Sequence, residues 1–273
     1  MKVRLAQKYG FCFGVKRAIA IAENNAHATT FGPLIHNSRE IERLQRDFDV
    51  SLSESLEQAQ SSNKVIVRTH GITKEDLQTL KTRGIKIIDA TCPFVTKPQN
   101  IVEQMSKEGY QIIIFGDSNH PEVKGVASYG ENVVIVGNVS EAMDYKFKKK
   151  VAVVSQTTKQ PEQFGKLVGL LASKVNELRV FNTICNATFE NQRAVFELSK
   201  EVDIMIIVGG KNSSNTKQLL KIAQDHCVDS YLVEDQDELE EQWFMGKTIC
   251  GLAAGASTPD WIIQSVHKRI EQI

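Results

Sequence analysis

Hydrophobic positions along this chain come in short β-branched runs, separated by polar stretches whose apolar residues recur at helical spacing. The runs predict strands at Val3–Ala6, Thr29–Phe31, Val65–Arg68, Ile85–Asp89, Gln111–Phe115, Val133–Val136, Val151–Ser155, Leu178–Phe181, Ile204–Val208, Ser230–Val233 and Thr248–Leu252. Between them, Val15–Asn24, Lys74–Lys81, Phe164–Leu171, Ala194–Lys200 and Lys217–Gln224 carry helical patterns. Strand–helix alternation of this kind predicts α/β units with mostly parallel sheets. No apolar run approaches the roughly 20 residues of a membrane-spanning helix.

A second pattern overlies the first. Three times a predicted strand runs into a cysteine: VRLAQKYGFC ends at Cys12, IKIIDATC at Cys92 and LRVFNTIC at Cys185. A helical segment follows each, and each interval suits one small α/β unit. The chain therefore reads as a pseudo-threefold repeat of structure rather than of residues. The units are 10–94, 95–187 and 188–273, the last completed by the N-terminal strand within 1–9. No Gly/Ser-rich or Pro-rich linker marks the borders, so close packing of the units is expected.

The length of 273 residues suits two or three compact units. Lys plus Arg equals Asp plus Glu at 33 each, so no global field draws the chain to nucleic acid or a membrane surface. The N-terminus, MKVRLAQKYGFCFG, lacks the apolar stretch of a secretory signal. Five cysteines with long gaps argue against a disulfide framework and for reduced thiols, hence a cytoplasmic protein.

Thiolates are soft ligands, and three of them from separate strand ends can converge where units meet. Cys12 stands between Gly10 and Gly14, which permit tight turns, with Phe11 and Phe13 beside it. Cys92 and Cys185 follow strands, where open α/β sheets place ligands. Cys227 and Cys250 read as ordinary buried cysteines. No C-x-x-C occurs, so a zinc knuckle or ferredoxin-type motif is absent. His36, His70 and His120 also fall after strands and before helices, with Asn37, Ser38 and Thr73 placed to cap and Pro121 at a first helical position. Imidazoles beside helix starts suit an anion. The loop Gly209–Thr216 resembles a phosphate cradle without being a P-loop, and Ser155–Thr158 and Gly255–Pro259 are further hydroxyl-rich loops. Ser, Thr and Asn also cap helices wherever helices start, so each loop alone is ambiguous.

Together these segments resemble the family of 4-hydroxy-3-methylbut-2-enyl diphosphate reductases, the LytB family. The resemblance covers essentially the whole chain. It rests on GFCFGV at Gly10–Val15, GPLIHN at Gly32–Asn37, RTHG at Arg68–Gly71, DATCP at Asp89–Pro93, HPEV at His120–Val123, SQTT at Ser155–Thr158, NTIC at Asn182–Cys185, GGKNSSNT at Gly209–Thr216 and GAST at Gly255–Thr258. It implies a three-lobed cloverleaf of α/β domains around a central [4Fe–4S] cluster, held by Cys12, Cys92 and Cys185 with one iron open. It also implies that His36, His70, His120, Ser213, Ser214, Asn215 and Ser257 bind the substrate diphosphate. Glu122, Thr157 and His120 are the implied catalytic residues, with Thr158 an alternative to Thr157 as the substrate contact. The implied reaction is reductive dehydroxylation to isopentenyl and dimethylallyl diphosphate, with ferredoxin or flavodoxin as electron donor. Two other classes fit parts of the pattern. A redox sensor needs the cysteines but not the histidine and Ser-Ser-Asn constellation, and a zinc phosphohydrolase lacks any local ligand spacing.

Overall fold

The computed structural model describes residues 1–273. Its strands are β1 (Lys2–Leu5), β2 (Thr29–Phe31), β3 (Ser51–Ser53), β4 (Lys64–Val67), β5 (Lys86–Asp89), β6 (Gln111–Phe115), β7 (Val133–Val136), β8 (Lys150–Ser155), β9 (Glu177–Val180), β10 (Ile204–Val208), β11 (Ser230–Val233) and β12 (Ile249–Ala254). They form three four-stranded sheets, ordered β3-β2-β4-β5, β7-β6-β8-β9 and β11-β10-β12-β1. Every neighbouring pair is parallel. Labelled by arrival, each sheet has the order 2-1-3-4, and in the third sheet the fourth place is filled by β1 from the far end of the chain. The repeat legible around the cysteines is thus a repeat of strand order.

Parallel neighbours require crossovers, and here helices supply them. They are α1 (Phe13–Glu23), α2 (Ser38–Phe48), α3 (Leu56–Gln60), α4 (Lys74–Thr82), α5 (Pro93–Lys107), α6 (Pro121–Ala127), α7 (Val139–Met143), α8 (Pro161–Ala172), α9 (Asn186–Ser199), α10 (Ser214–Gln224) and α11 (Asp260–Gln272). All five residues of both β6 and β10 are buried, as expected of strands covered on both faces. One face of β10 and β12 packs Ile206, Val208 and Leu252 against Ile262, Val266 and Ile270 of α11. The opposite face packs Met205, Ile207 and Ala253 against Val195 of α9 and Leu219 of α10. Around β6 and β8 the same alternation sets Ile112, Ile114 and Val154 against α5 and α6, and Ile113, Phe115 and Val153 against α8. Truncating one such residue, for example Leu167 of α8, is expected to cost about 2–5 kcal/mol.

The chain divides into two compact units, one of Met1–Lys16, Ile35–Arg43 and Asn186–Ile273, the other of Arg17–Leu34 and Leu44–Cys185. The first contains the β11-β10-β12-β1 sheet and the second contains the other two. No helix is long and apolar enough to cross a membrane. The sequence pattern misses β3, whose Ser-Leu-Ser offers no β-branched run. It also starts α8 and α9 late, because their first turns, Pro161-Glu-Gln and Asn186-Ala-Thr, are polar or small.

Candidate functional site

A 2-1-3-4 order makes the crossovers leave in opposite directions from the first and third strands, which opens a crevice beyond their carboxyl ends. The candidate residues stand there. Phe31, Phe115 and Val208 end the first strands, and His36, His120 and Ser213 each come five residues later. Val67, Ser155 and Ala254 end the third strands, and His70, Thr158 and Ser257 each come three residues later.

The cysteines repeat as well. Each follows the fourth strand of its sheet, immediately precedes a helix, and donates its backbone N–H to the loop after the third strand. The bonds are Cys12 to the Ala256 carbonyl at 3.1 Å, Cys92 to Thr69 at 3.0 Å and Cys185 to Thr157 at 3.0 Å. Cys12, Cys92 and Cys185 are half-buried, whereas Cys227 and Cys250 are buried. Burial pushes the Cys227 thiol up, and pushes the Cys250 thiol up to about 12, so both are inert protonated thiols at neutral pH.

In the unit that contains β10, the loop after that strand is shaped by close approach. A Cβ on Gly210 would lie 2.3 Å from the His36 carbonyl oxygen, so this residue has to be glycine for the two loops to touch. Ser213 caps α10, its hydroxyl accepting the Thr216 N–H at 3.2 Å. Asn215 is only 5% exposed, yet both its Oδ1 and its Nδ2 are buried without a protein partner. Buried amides are almost always satisfied, so this one marks a place for a ligand. The Ser257 hydroxyl donates to the His36 carbonyl at 3.2 Å. His36, Ser257 and the Gly210–Asn215 loop are therefore brought together within one unit.

In the other unit, Thr69 donates through its N–H and its hydroxyl to the Leu34 carbonyl, at 3.2 and 2.8 Å, which holds the loop bearing His70. The His70 and His120 rings meet edge to face with centroids 5.5 Å apart. His120 caps its own helix, its Nδ1 accepting the Glu122 N–H at 3.2 Å. An accepting Nδ1 leaves the proton on Nε2. Burial lowers the His120 pKa to about 4, with Asp117 opposing and Arg68 adding to the shift, so the ring is neutral at pH 7. Desolvation is the leading cause, and the positive end of the helix that His120 caps likewise disfavours a cation there.

Glu122 is 2% exposed. Its Oε1 accepts the Thr157 N–H and its Oε2 the Thr157 hydroxyl, both at 2.7 Å. Burial pushes this carboxyl up, against the two hydrogen bonds, which pull it down. Of the two adjacent threonines it is Thr157 that holds Glu122, and its carbonyl holds Cys185.

Two features escape the sequence pattern. The His120 cap is one, since imidazole is not among the usual capping side chains. Glu40 is the other: three residues after Asn37 it reads as an ordinary helix-start glutamate, whereas it is 1% exposed and bound to Arg43 and to the distant Trp261.

The 4-hydroxy-3-methylbut-2-enyl diphosphate reductase of Helicobacter hepaticus is 72% identical to this chain over 273 residues, all of both chains. That of Campylobacter concisus is 60% identical over 274 residues, again all of both chains. Among solved structures, the E-1-hydroxy-2-methyl-but-2-enyl-4-diphosphate reductase of Plasmodium falciparum superposes with a TM-score of 0.92 at 29% identity, over 99% of this chain and 87% of that one. A second, an (E)-4-hydroxy-3-methyl-but-2-enyl diphosphate reductase described as the terminal enzyme of the non-mevalonate pathway, gives 0.69 at 41% identity over the full length of both. The LytB protein model matches residues 3–271, and on that match and these full-length relatives the chain belongs to the LytB family.

Proposed function

We propose that this chain reduces 4-hydroxy-3-methylbut-2-enyl diphosphate to isopentenyl and dimethylallyl diphosphate, the last step of the non-mevalonate isoprenoid route. In this reading Cys12, Cys92 and Cys185 carry one [4Fe–4S] cluster. The observation that carries it is the recurrence of three half-buried thiols at one topological position, while the other two cysteines are buried in apolar surroundings. The activity for which its full-length relatives are named supports it. Three soft donors fit a four-iron cluster and leave one iron without a protein ligand. When bound, such a cluster supplies single electrons and an open Lewis-acidic iron.

The chain's own residues do the rest. The unsatisfied Asn215 amide at the start of α10 fits phosphate oxygens, aided by the helix N–H groups and by Ser213, Ser214 and Ser257. His36 and His70 join them, and His120 offers an uncharged Nε2–H donor. The diphosphate lies far from the bond that breaks, so its binding energy goes into orientation. Hydroxide is a poor leaving group and has to depart as water. Burial raises the Glu122 pKa and so favours its protonated form, and the contact between Oε2 and the Thr157 hydroxyl provides a two-step path once the carboxyl carries a proton. Glu122 gives its proton to Thr157 Oγ1 as Thr157 gives its own to the leaving hydroxyl. The balanced reaction takes two electrons and two protons and releases water, and protonation at either end of the allylic system selects the product. A reduced ferredoxin or flavodoxin is the proposed donor.

The test is anaerobic purification followed by incubation with the allylic diphosphate and a chemical reductant. A brown protein with a broad band at about 400–420 nm, as Cys-ligated iron–sulfur centres give, and reductant-dependent consumption of the substrate are expected. A colourless zinc protein, or a brown protein that leaves the substrate untouched, would exclude the proposal.

A further inference from the structure

We infer that Glu40 and Trp261 are positioning residues for the diphosphate, their hydrogen bond fixing the separation of His36 from Ser257. The inference rests on the reading of those two residues as diphosphate ligands.

Glu40 lies in the first turn of α2, four residues after His36, and Trp261 lies in the first turn of α11, four residues after Ser257. The indole Nε1–H donates to Glu40 Oε2 at 3.1 Å. The other carboxylate oxygen accepts from Arg43 Nε at 3.0 Å and Nη2 at 2.7 Å. A carboxylate with 1% exposure is costly unless it is satisfied in this way. Little slack separates either bond from its binding residue. On one side the Asn37 side chain accepts the Glu40 N–H at 3.0 Å, so the span from His36 to Glu40 is a single capped turn. On the other, the Thr258 N–H donates to the Gly255 carbonyl and the Thr258 hydroxyl to the Val208 carbonyl, both at 3.0 Å, which fastens the loop bearing Ser257 to the end of β10.

The two loops are also tied nearer the ligand, where Ser257 donates to the His36 carbonyl at 3.2 Å. That bond uses the hydroxyl proposed to bind phosphate, so it weakens or re-aims when the hydroxyl turns to an anion. The link between Glu40 and Trp261 makes no such exchange. It holds the two helix starts together while the serine changes partner, and neither residue touches the reacting atoms. The cap at Asn37 and the apolar packing of α11 survive its removal. The expected result of breaking it is looser placement of His36 against Ser257 rather than unfolding.

The test compares the wild type with Glu40→Ala, Glu40→Gln, Trp261→Phe and the double variant Glu40→Ala/Trp261→Phe. The dissociation constant of inorganic pyrophosphate is read by calorimetry, and KM and kcat by reduction of the allylic diphosphate. A hydrogen bond to a charged group predicts an approximately tenfold rise in the dissociation constant and in KM for Glu40→Ala and for Trp261→Phe. The fall in kcat should be smaller than the rise in KM, because orientation of the diphosphate and not proton delivery is affected. The double variant should be no worse than either single one, since both remove the same bond. Glu40→Gln, which still accepts from the indole, should recover most of the affinity. Trp261 is half-exposed, so Trp261→Phe removes the bond at little cost in packing and decides the matter even if Glu40→Ala folds poorly. Pyrophosphate affinity within about twofold of wild type in Trp261→Phe, or additive losses in the double variant, would overturn the inference. A wild type that binds pyrophosphate but reduces no allylic diphosphate refutes the proposed function instead, and the pyrophosphate series still decides this link.

Discussion

Replacing Glu122 by Gln separates a proton-delivering carboxyl from a residue that merely suits a helix start. The geometry sets what the change does to folding. Gln can still accept the Thr157 N–H through Oε1, and its Nε2 can donate to the Thr157 hydroxyl, so both 2.7 Å contacts have a counterpart. Stability at neutral pH should therefore move by no more than about 1 kcal/mol, the net worth of one hydrogen bond. The sign with pH follows from linkage. Burial raises the folded-state pKa of Glu122, so above the usual carboxylate range the folded chain binds a proton that the unfolded chain has lost. The wild type accordingly loses stability as pH rises through that raised value, and the variant does not. The effect on turnover is larger. General acid help is worth about 10²–10⁴-fold, or roughly 3–5 kcal/mol of barrier. The variant should keep its cluster and bind the diphosphate, yet turn over at least about 100-fold more slowly. Wild-type activity should fall as pH rises through the raised Glu122 pKa, and that limb should be missing from the residual activity of the variant. The assay is anaerobic turnover with a chemical reductant, run on protein of measured iron content across the pH range. Turnover within about threefold of wild type, in a variant with a full cluster, would return Glu122 to a helix-start role.

Cys12→Ser, Cys92→Ser and Cys185→Ser should each sharply lower bound iron and sulfide, because a hard hydroxyl replaces a thiolate poorly. Cys227→Ser and Cys250→Ser should keep both, and the opposite pattern would reassign the ligands. His120, held neutral with a pKa of about 4, should make the cluster-free protein lose stability as pH falls from the ordinary value near 6.5 toward 4, since only the unfolded chain takes up the proton there. The full shift corresponds to roughly 3 kcal/mol, and urea titrations should show a shallower acid loss in His120→Asn, an identical loss counting against the assignment. Gly210→Ala puts a methyl 2.3 Å from the His36 carbonyl oxygen, so it should cost about 1–3 kcal/mol and weaken pyrophosphate binding, which calorimetry would detect.

What the sequence made legible was whatever local chemistry writes in place. Ile204–Val208 reads as a central strand because all five residues are apolar, and the structure buries all five. Cys12, Cys92 and Cys185 stand out because each follows a strand and precedes a helix, and that local fact survives as their common hydrogen bond to the neighbouring loop. Thr73 capping Asp76 at 3.1 Å is equally local. Features that depend on distant partners were hidden. Trp261 and Glu40 are 221 residues apart. The choice of Thr157 over Thr158 as the partner of Glu122 depends on how the loop after β8 meets the start of α6. The neutrality of His120 comes chiefly from desolvation by the whole fold. The unsatisfied amide of Asn215 could not be told from a helix cap until Ser213 was seen to take that role.

The most direct measurement is phosphorus and proton NMR of 4-hydroxy-3-methylbut-2-enyl diphosphate after anaerobic incubation with the reduced protein. The account predicts that the diphosphate stays intact while the hydroxyl carbon becomes hydrocarbon. Isopentenyl and dimethylallyl diphosphate should both appear, and no product should form without reductant. Release of phosphate with the hydroxyl retained, or an unchanged substrate beside a fully reduced cluster, would contradict it.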